Sequence, residues 1–242
     1  MAKNTSVLTL RGRVGNLVFS SNGSVSQAPS SRPATAARTL ENMAEFGSAT
    51  IAAKLLNDAF RPYIREARDR FSFGRLSSLM SSIIKKDLVN PRGQRGILDD
   101  ELIDLKGFEF NKQAGLSSTL YAAVSTSLVR ATGVAKVSVA AHSALDAIAA
   151  PTGATHYKLV GVAVEIDFST GETIVKSDST AELSVTNSAV ALTDLEVDVT
   201  ANSTKTVIFG LGVKFYQSVN TEFYPLQGSD FNSFQLVDVK LA

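Results

Sequence analysis

Ser82-Ile83-Ile84-Lys85 places a hydroxyl and an amine about one helical turn apart, the spacing with which some acyl-transfer enzymes activate a serine nucleophile. That chemistry needs further groups. The matching Lys-Thr-Gly stretch would begin at Lys205-Thr206, but residue 207 is Val, no Ser-Asp-Asn lies between, and Ile83 and Ile84 belong to an apolar helical stripe. His142 and His156 have no cysteine, His-x-x-x-His or Glu-x-x-His partner, so neither a zinc site nor a serine triad is spelled out and both read as structural. Cysteine is absent, which removes disulfides, thiolate metal sites, iron–sulfur clusters and a thiol nucleophile. Gly12-Arg13-Val14-Gly15 and Gly210-Leu211-Gly212 lack the remaining glycines and the strand-to-helix context of a phosphate loop, and read as bulge or close-packing glycines. No catalytic residue, metal ligand or cofactor follows from these residues, and the chain reads as a non-enzyme.

Charged clusters offer binding rather than catalysis. Asp194, Glu196 and Asp198 alternate and so project from one face of a strand, as a solvated face or an edge guarded against pairing; they lack the loop spacing of a calcium site. Asp99, Asp100, Glu101 and Asp104 form a second acidic group, read as an exposed turn. Arg61, Arg65 and Arg68, with Arg70 and Arg75 behind them, have the spacing of a basic helix face that would suit phosphate. Arg65 with Asp69 and Glu66 with Arg70 are equally i,i+4 pairs of a solvated helix. With 24 Lys+Arg against 23 Asp+Glu overall, nucleic acid is not an expected partner. Arg92-Gly93-Gln94-Arg95 reads as a loop whose two arginines clasp carboxylates of a β domain in the same or a neighbouring chain.

The elements that position these groups divide the chain. Residues 1–115 carry 17 basic against 11 acidic side chains, and residues 116–242 carry 7 against 12, so the halves have net charges of +6 and −5. Complementary potentials favour and orient docking, within one chain or between copies. In the positive half, Val7–Val14 and Leu17–Phe19 flank a Gly15-Asn16 turn and predict a hairpin, which two strands alone rarely stabilise in water. Residues 20–38 read as a polar linker. Thr39 is a fitting N-cap for a helix with the stripe Met43, Phe46, Ala49, Ala53, Leu56 and Phe60, ended near Phe60 by Pro62. A second stripe, Leu76, Leu79, Met80, Ile83 and Ile84, follows a Ser72 cap.

From Leu102 the period becomes two. Strands are predicted over 106–111, 119–129, 135–141, 157–168, 173–177, 181–186, 195–200, 206–219, 223–226 and 234–241, with a hairpin turn at Ser169-Thr170-Gly171-Glu172. The expectation is an α+β fold in three regions: a hairpin and extended arm over 1–38, a helical region with a basic loop over 39–104, and an antiparallel, jelly-roll-like β-sandwich over 105–242. No strand–helix alternation supports a doubly wound nucleotide-binding fold.

At 242 residues, 44% hydrophobic and 19% charged, the composition is that of a globular protein; with no Trp and 7% aromatics, neither a carbohydrate platform nor a base-stacking sheet is expected. The start lacks an apolar core of signal-peptide length, and no stretch approaches the ~20 apolar residues of a membrane span. The sequons at Asn4, Asn22 and Asn202 carry no meaning without export. The expectation is synthesis in the cytoplasm followed by incorporation into a virion or an extracellular assembly.

Glu45-Phe46-Gly47, Lys54-Leu55-Leu56, Arg92-Gly93-Gln94-Arg95, Gly107-Phe108-Glu109-Phe110-Asn111, Gly212-Val213-Lys214-Phe215-Tyr216-Gln217 and Tyr224-Pro225-Leu226 together resemble a family of uncharacterised proteins from Bacteroidetes bacteria. The resemblance spans most of the chain and implies no activity or catalytic residues. The functional expectation therefore comes from the residues themselves. They point to a self-assembling structural subunit of a virion, phage-tail-like tube or filament, whose partners are copies of itself. Val7, Leu8, Leu10, Val18 and Phe19 would insert into a neighbouring sheet or groove, and Arg92 and Arg95 would pair with carboxylates. The alternative is a soluble β-sandwich module whose loops, such as 200–205, bind a glycan or protein ligand.

Overall fold

The structure is a computed structural model and describes residues 2–3, 10–28, 36–226 and 231–241. Two compact units emerge, Met1–Leu40 and Glu41–Ala242. In the first, β1 (Ala2–Lys3), β2 (Gly12–Val14), β3 (Leu17–Phe19) and β4 (Ser24–Gln27) form an antiparallel sheet in the order β1-β4-β3-β2. The predicted Gly15-Asn16 turn joins β2 to β3, with Gly15 at φ +56, a left-handed value that glycine adopts without a Cβ penalty. Part of the predicted linker is strand instead. Asn22 Oδ1 accepts from the Ser24 amide at 3.0 Å and from its hydroxyl at 2.7 Å, and this side-chain turn delivers β4 onto β3.

The second unit begins within helix α1 (Ala37–Ile64), followed by α2 (Ser72–Lys85), a 3-10 turn (Asp99–Leu105) and a single helical turn, α3 (Leu116–Thr119). Then come β5 (Val124–Val129), β6 (Val134–Val139), β7 (His142–Ser143), the turn α4 (Ala144–Ala147), β8 (His156–Ile166), β9 (Thr173–Ser179), β10 (Leu183–Ser184), β11 (Ala189–Val190), β12 (Thr193–Asp198), β13 (Thr206–Val219), β14 (Glu222–Pro225) and β15 (Ser233–Lys240). This is a mixed α+β fold with its two main helices early and antiparallel strands later.

Strand β13 is the spine of the main sheet. It pairs with β8 from Thr206↔Ile166 to Tyr216↔His156, and its other edge carries β15 over Val207–Val213 and β14 over Tyr216–Val219. Strands β9 and β10 lie along the far edge of β8. Both central strands are near-continuous apolar runs because both of their faces are covered. On one face, Leu56, Phe60 and Ile64 of α1 and Leu76, Met80 and Ile83 of α2 pack on Val160, Val162, Val164, Ile208 and Phe234. On the other, Ala135, Val137, Val139 and Leu195, from the smaller sheet β12-β6-β5, meet Tyr157, Leu159, Phe209, Leu211 and Phe215. The small sheet is fastened at both edges: the Thr126 hydroxyl donates to Asp238 on β15, and the Glu196 amide to Asp178 on β9. Burial of this kind is worth roughly 1.5–3 kcal/mol per large apolar side chain and dominates the stability of the unit.

Gly210 and Gly212 are the close-packing glycines expected. A Cβ on Gly210 would sit 2.6 Å from the Phe234 ring and 2.9 Å from Phe60, and β13 changes register against β15 between Phe209 and Gly210. The missing side chain leaves room for Phe60 and Phe110 to pack edge to face on Phe234, at centroid distances of 5.6 and 5.8 Å, with Phe60 and Phe110 tilted to each other at 6.2 Å.

Several expectations change. Pro62 does not end α1, because Phe60 and Ile64, both fully buried, hold the last turn on the core and Pro62 forfeits only one terminal hydrogen bond. Met43 and Phe46 are not in the buried stripe, which starts at Glu45 and Ala49. Ser72 does not cap helix α2: the N-cap position is Phe71, no side chain caps the helix, and Asp69 accepts from the Phe71 amide at 2.8 Å just ahead of it. The predicted strand 106–111 is an irregular run alongside β15: Gly107 and Phe110 donate to Leu236 and Phe234, while Gly107 at φ +84 breaks the pleat. The first part of the predicted strand 119–129 is helical turn and loop, and the strand starts at Val124.

Candidate functional site

Of the residues expected at an interface, Val7 and Leu8 lie outside the described residues. Leu10 is described and half in solvent, at 51% exposure. Val18 and Phe19 sit in β3, between β2 and β4, and are half-buried. More of the apolar surface of this unit is open than the hairpin pattern implied: Val14 and Leu17 are 63% and 46% exposed. Strand β2 ends the sheet, so its outer backbone edge has no strand beside it among the described residues.

Arg92 and Arg95 do meet carboxylates, but those of helix α1 in their own chain rather than of the β domain. Arg92 Nε lies 3.4 Å from Glu41 Oε2, with its Nη2 donating to Asn42, and Arg95 Nε lies 3.9 Å from Glu45 Oε1. The loop is built for this by Asp87, a side chain that sequence reading passed over. Its carboxylate accepts from the amides of Val89, Asn90 and Gly96 and from the Asn90 side chain at 2.8 to 3.0 Å, and these bonds, led by that from Gly96, hold it well below the usual carboxylate range. Gly93 then donates to the buried Glu45 at 2.9 Å. Clustered Asp, Asn, Pro and Gly over 87–96 was the legible sign of such a turn.

The groups tested for chemistry are dispersed. Ser82 donates to the Leu79 carbonyl at 2.7 Å and Lys85 is exposed at the end of α2, so neither activates the other. His142 bridges the Ala140 carbonyl at 2.8 Å and the Tyr157 hydroxyl at 2.9 Å; His156 contacts Thr155 Oγ1 and lies edge-on to Phe223. Asp194 and Glu196 flank Lys136 on the neighbouring strand at 3.1 and 2.9 Å, on the solvated face expected for them. Glu101 and Asp104 close on Lys86. Because α1 stops at Ile64, the i,i+4 pairs do not form: Asp69 binds Arg75 at 2.9 Å, Glu66 binds Lys214 at 3.1 Å, and Arg70 lies over the Phe71 ring. Among the described residues, no group of three or more His, Asp or Glu side chains could hold a metal ion, and no helix is long and apolar enough to cross a membrane.

Two further carboxyl groups, buried Glu165 and half-buried Glu109, are not announced by the sequence. Glu165 on β8 accepts from the Thr200 amide and the Ser203 hydroxyl, while Arg130 donates to the carbonyls of Ser203 and Lys205. The backbone of loop 200–205 and the Ser203 hydroxyl are thereby tied to the body of the unit, while Thr200, Asn202 and Thr204 stay exposed. Glu109 accepts from Leu116 N–H at 3.0 Å and Gln235 Nε2 at 2.7 Å through Oε1, whereas its Oε2 is buried without a hydrogen-bond partner. Burial pushes this carboxyl up to about 7, against the bond from Leu116. Nothing in the local spelling of Gly107–Asn111 announces it.

The candidate functional feature is a surface: among the described residues, the β2 edge that has no strand beside it, with its exposed apolar neighbours. Comparison with known protein families, with curated proteins and with solved structures finds no match to this chain.

Proposed function

We propose that the protein is a self-assembling structural subunit, of the kind that builds a virion, a phage-tail-like tube or a filament, and that the N-terminal arm makes the contacts between copies. One observation carries this reading. Among its described residues, the Met1–Leu40 unit is a sheet of very short strands that leaves Leu10, Val14 and Leu17 substantially in solvent and has no strand beside the outer edge of β2. Such an edge gains backbone hydrogen bonds and apolar burial when a further strand adds to it, and a neighbouring copy supplies one at matching stoichiometry. Arg92 and Arg95 are engaged within their own chain, so the arm rather than the basic loop is the contact of choice. The alternative, a β-sandwich module whose loops bind a glycan or protein ligand, has no comparable surface feature to carry it at loop 200–205, whose backbone is tied down by Glu165 and Arg130.

Light scattering and electron microscopy of the purified full-length protein test the proposal. The expected result is regular assemblies that Leu10→Asp combined with Leu17→Asp disperses, while the thermal transition of the larger unit stays in place. A monodisperse monomer in the unaltered protein, or assemblies indifferent to both substitutions, would overturn it.

A further inference from the structure

A cleft of about 640 Å³, a size usual for small-molecule sites, lies between helix α1, the end of α2 and the turn that follows β8. Ile51 and Leu55 of α1, Ile84 in the last turn of α2, Ile97 and Phe168 give it mainly apolar walls. Two aspartates fix its lips. Asp87 accepts from the Gly96 amide at 2.9 Å and so sets the chain beside Arg95 and Ile97. Asp167 accepts from the amides of Ser169 and Thr170 at 2.8 and 3.2 Å in the turn after β8. A site held in shape in advance loses less entropy on binding.

Arg95 is the polar group of this cleft that the fold leaves idle. Arg75 and Arg130, also half-buried, spend their guanidinium groups on carbonyl and carboxylate oxygens. Arg95, with its side chain 25% exposed, donates no hydrogen bond among the described residues. Its Nε is shut off from solvent without a partner: Glu45 Oε1 accepts from Gly93 and stands 3.9 Å away, beyond hydrogen-bond reach. Its Nη groups likewise have no acceptor, so a planar fork of donors lines the cleft unused. Lys54 adds a second cation to the lining, against the single carboxylate of Asp58.

We infer that this cleft binds an aliphatic carboxylate, with the hydrocarbon chain against Ile51, Leu55, Ile97 and Phe168 and the carboxylate on the Arg95 guanidinium. Each part of such a molecule answers one part of the wall. Apolar walls reward burial of the chain, and the parallel N–H groups of a guanidinium match the two oxygens of a carboxylate. An uncharged head would forgo the charge-assisted pair, and a cationic head would meet Arg95 and Lys54. The site uses no residue of the arm and does not depend on assembly.

Isothermal titration calorimetry of the full-length protein with decanoate, kept below the concentration at which it forms micelles, tests the inference. Saturable binding of one decanoate per chain is expected, with decanol and decyltrimethylammonium at least about tenfold weaker. Arg95→Gln should weaken decanoate by a similar factor and bring it level with decanol. Arg95 also contributes to the fold, so Ser48→Trp gives an independent reading. Ser48 is exposed and lines the cleft, so an indole there fills the space without touching the core; it should abolish binding with an unchanged circular dichroism spectrum. Absence of saturable binding, equal affinity for decanoate and decanol, or decanoate binding unaltered by either substitution in folded protein would overturn the inference.

Discussion

At the scale of single residues, the informative groups are partly buried titratable and charged side chains that local sequence does not advertise. Glu109 is the clearest. Its folded-state pKa, about 7, lies above the ordinary 4.5, so the native state holds the proton more tightly than the unfolded chain does. That stabilisation is complete below about 4.5 and is lost as pH rises through 7. Arg75 does not offset it, because its Nη2 donates to the Glu109 main-chain oxygen at 3.1 Å rather than to the carboxylate. Glu109→Gln should therefore raise stability at pH 8 by on the order of 1–2 kcal/mol, after discounting for solvent at a half-buried site, and change little at pH 5. Denaturant titrations at the two pH values read this; equal effects at both would show that Glu109 is not the titrating group. Arg95 poses the converse case. Arg95→Glu sets a second carboxylate beside the buried Glu45 and should cost roughly 1–3 kcal/mol in the stability of the chain itself. A loss of Tm that does not vary with protein concentration would confirm a contact made within the chain.

At the scale of elements, periodicity located the pieces and packing decided their limits. The stripe of α2 and the long apolar runs of β8 and β13 were legible because a buried face imposes its period on the sequence. The stripe of α1 misled in its first turns, since Met43 and Phe46 keep helical spacing while lying beyond the sheet. Spacing records which residues share a side of a helix but not what covers that side. In the same way, Pro62 and the Lys106–Asn111 run obey local preference only until Phe60, Ile64 and Phe110 are anchored in the core. Gly210 shows the packing constraint from the other direction. Gly210→Ala would push a methyl into the rings of Phe234 and Phe60 at the centre of the molecule, and a loss of about 2–3 kcal/mol is expected in chemical denaturation. Retention of full stability there would mean that the helix layer can shift off the sheet.

At the scale of the molecule, the division of charge at mid-chain is not a division of structure. Helices from the positive half and strands from the negative half share one core within Glu41–Ala242, while the separate unit is the short N-terminal sheet of Met1–Leu40. The proposed function belongs to this scale, association through the arm, and Leu10→Asp with Leu17→Asp is the substitution that silences it. By itself, the sequence determined the fold class, the order of helices before strands, the Gly15-Asn16 turn, the close-packing role of Gly210 and Gly212 and the absence of cysteine chemistry, because these follow from local period, turn residues and composition. Only the tertiary structure decided that Arg92 and Arg95 form ion pairs with Glu41 and Glu45 of their own chain, that one oxygen of Glu109 is stranded without a hydrogen-bond partner, and that α1 carries exposed apolar side chains away from its sheet. Those facts depend on which distant segments come within a few ångströms of each other, and a pattern along the chain cannot encode that distance.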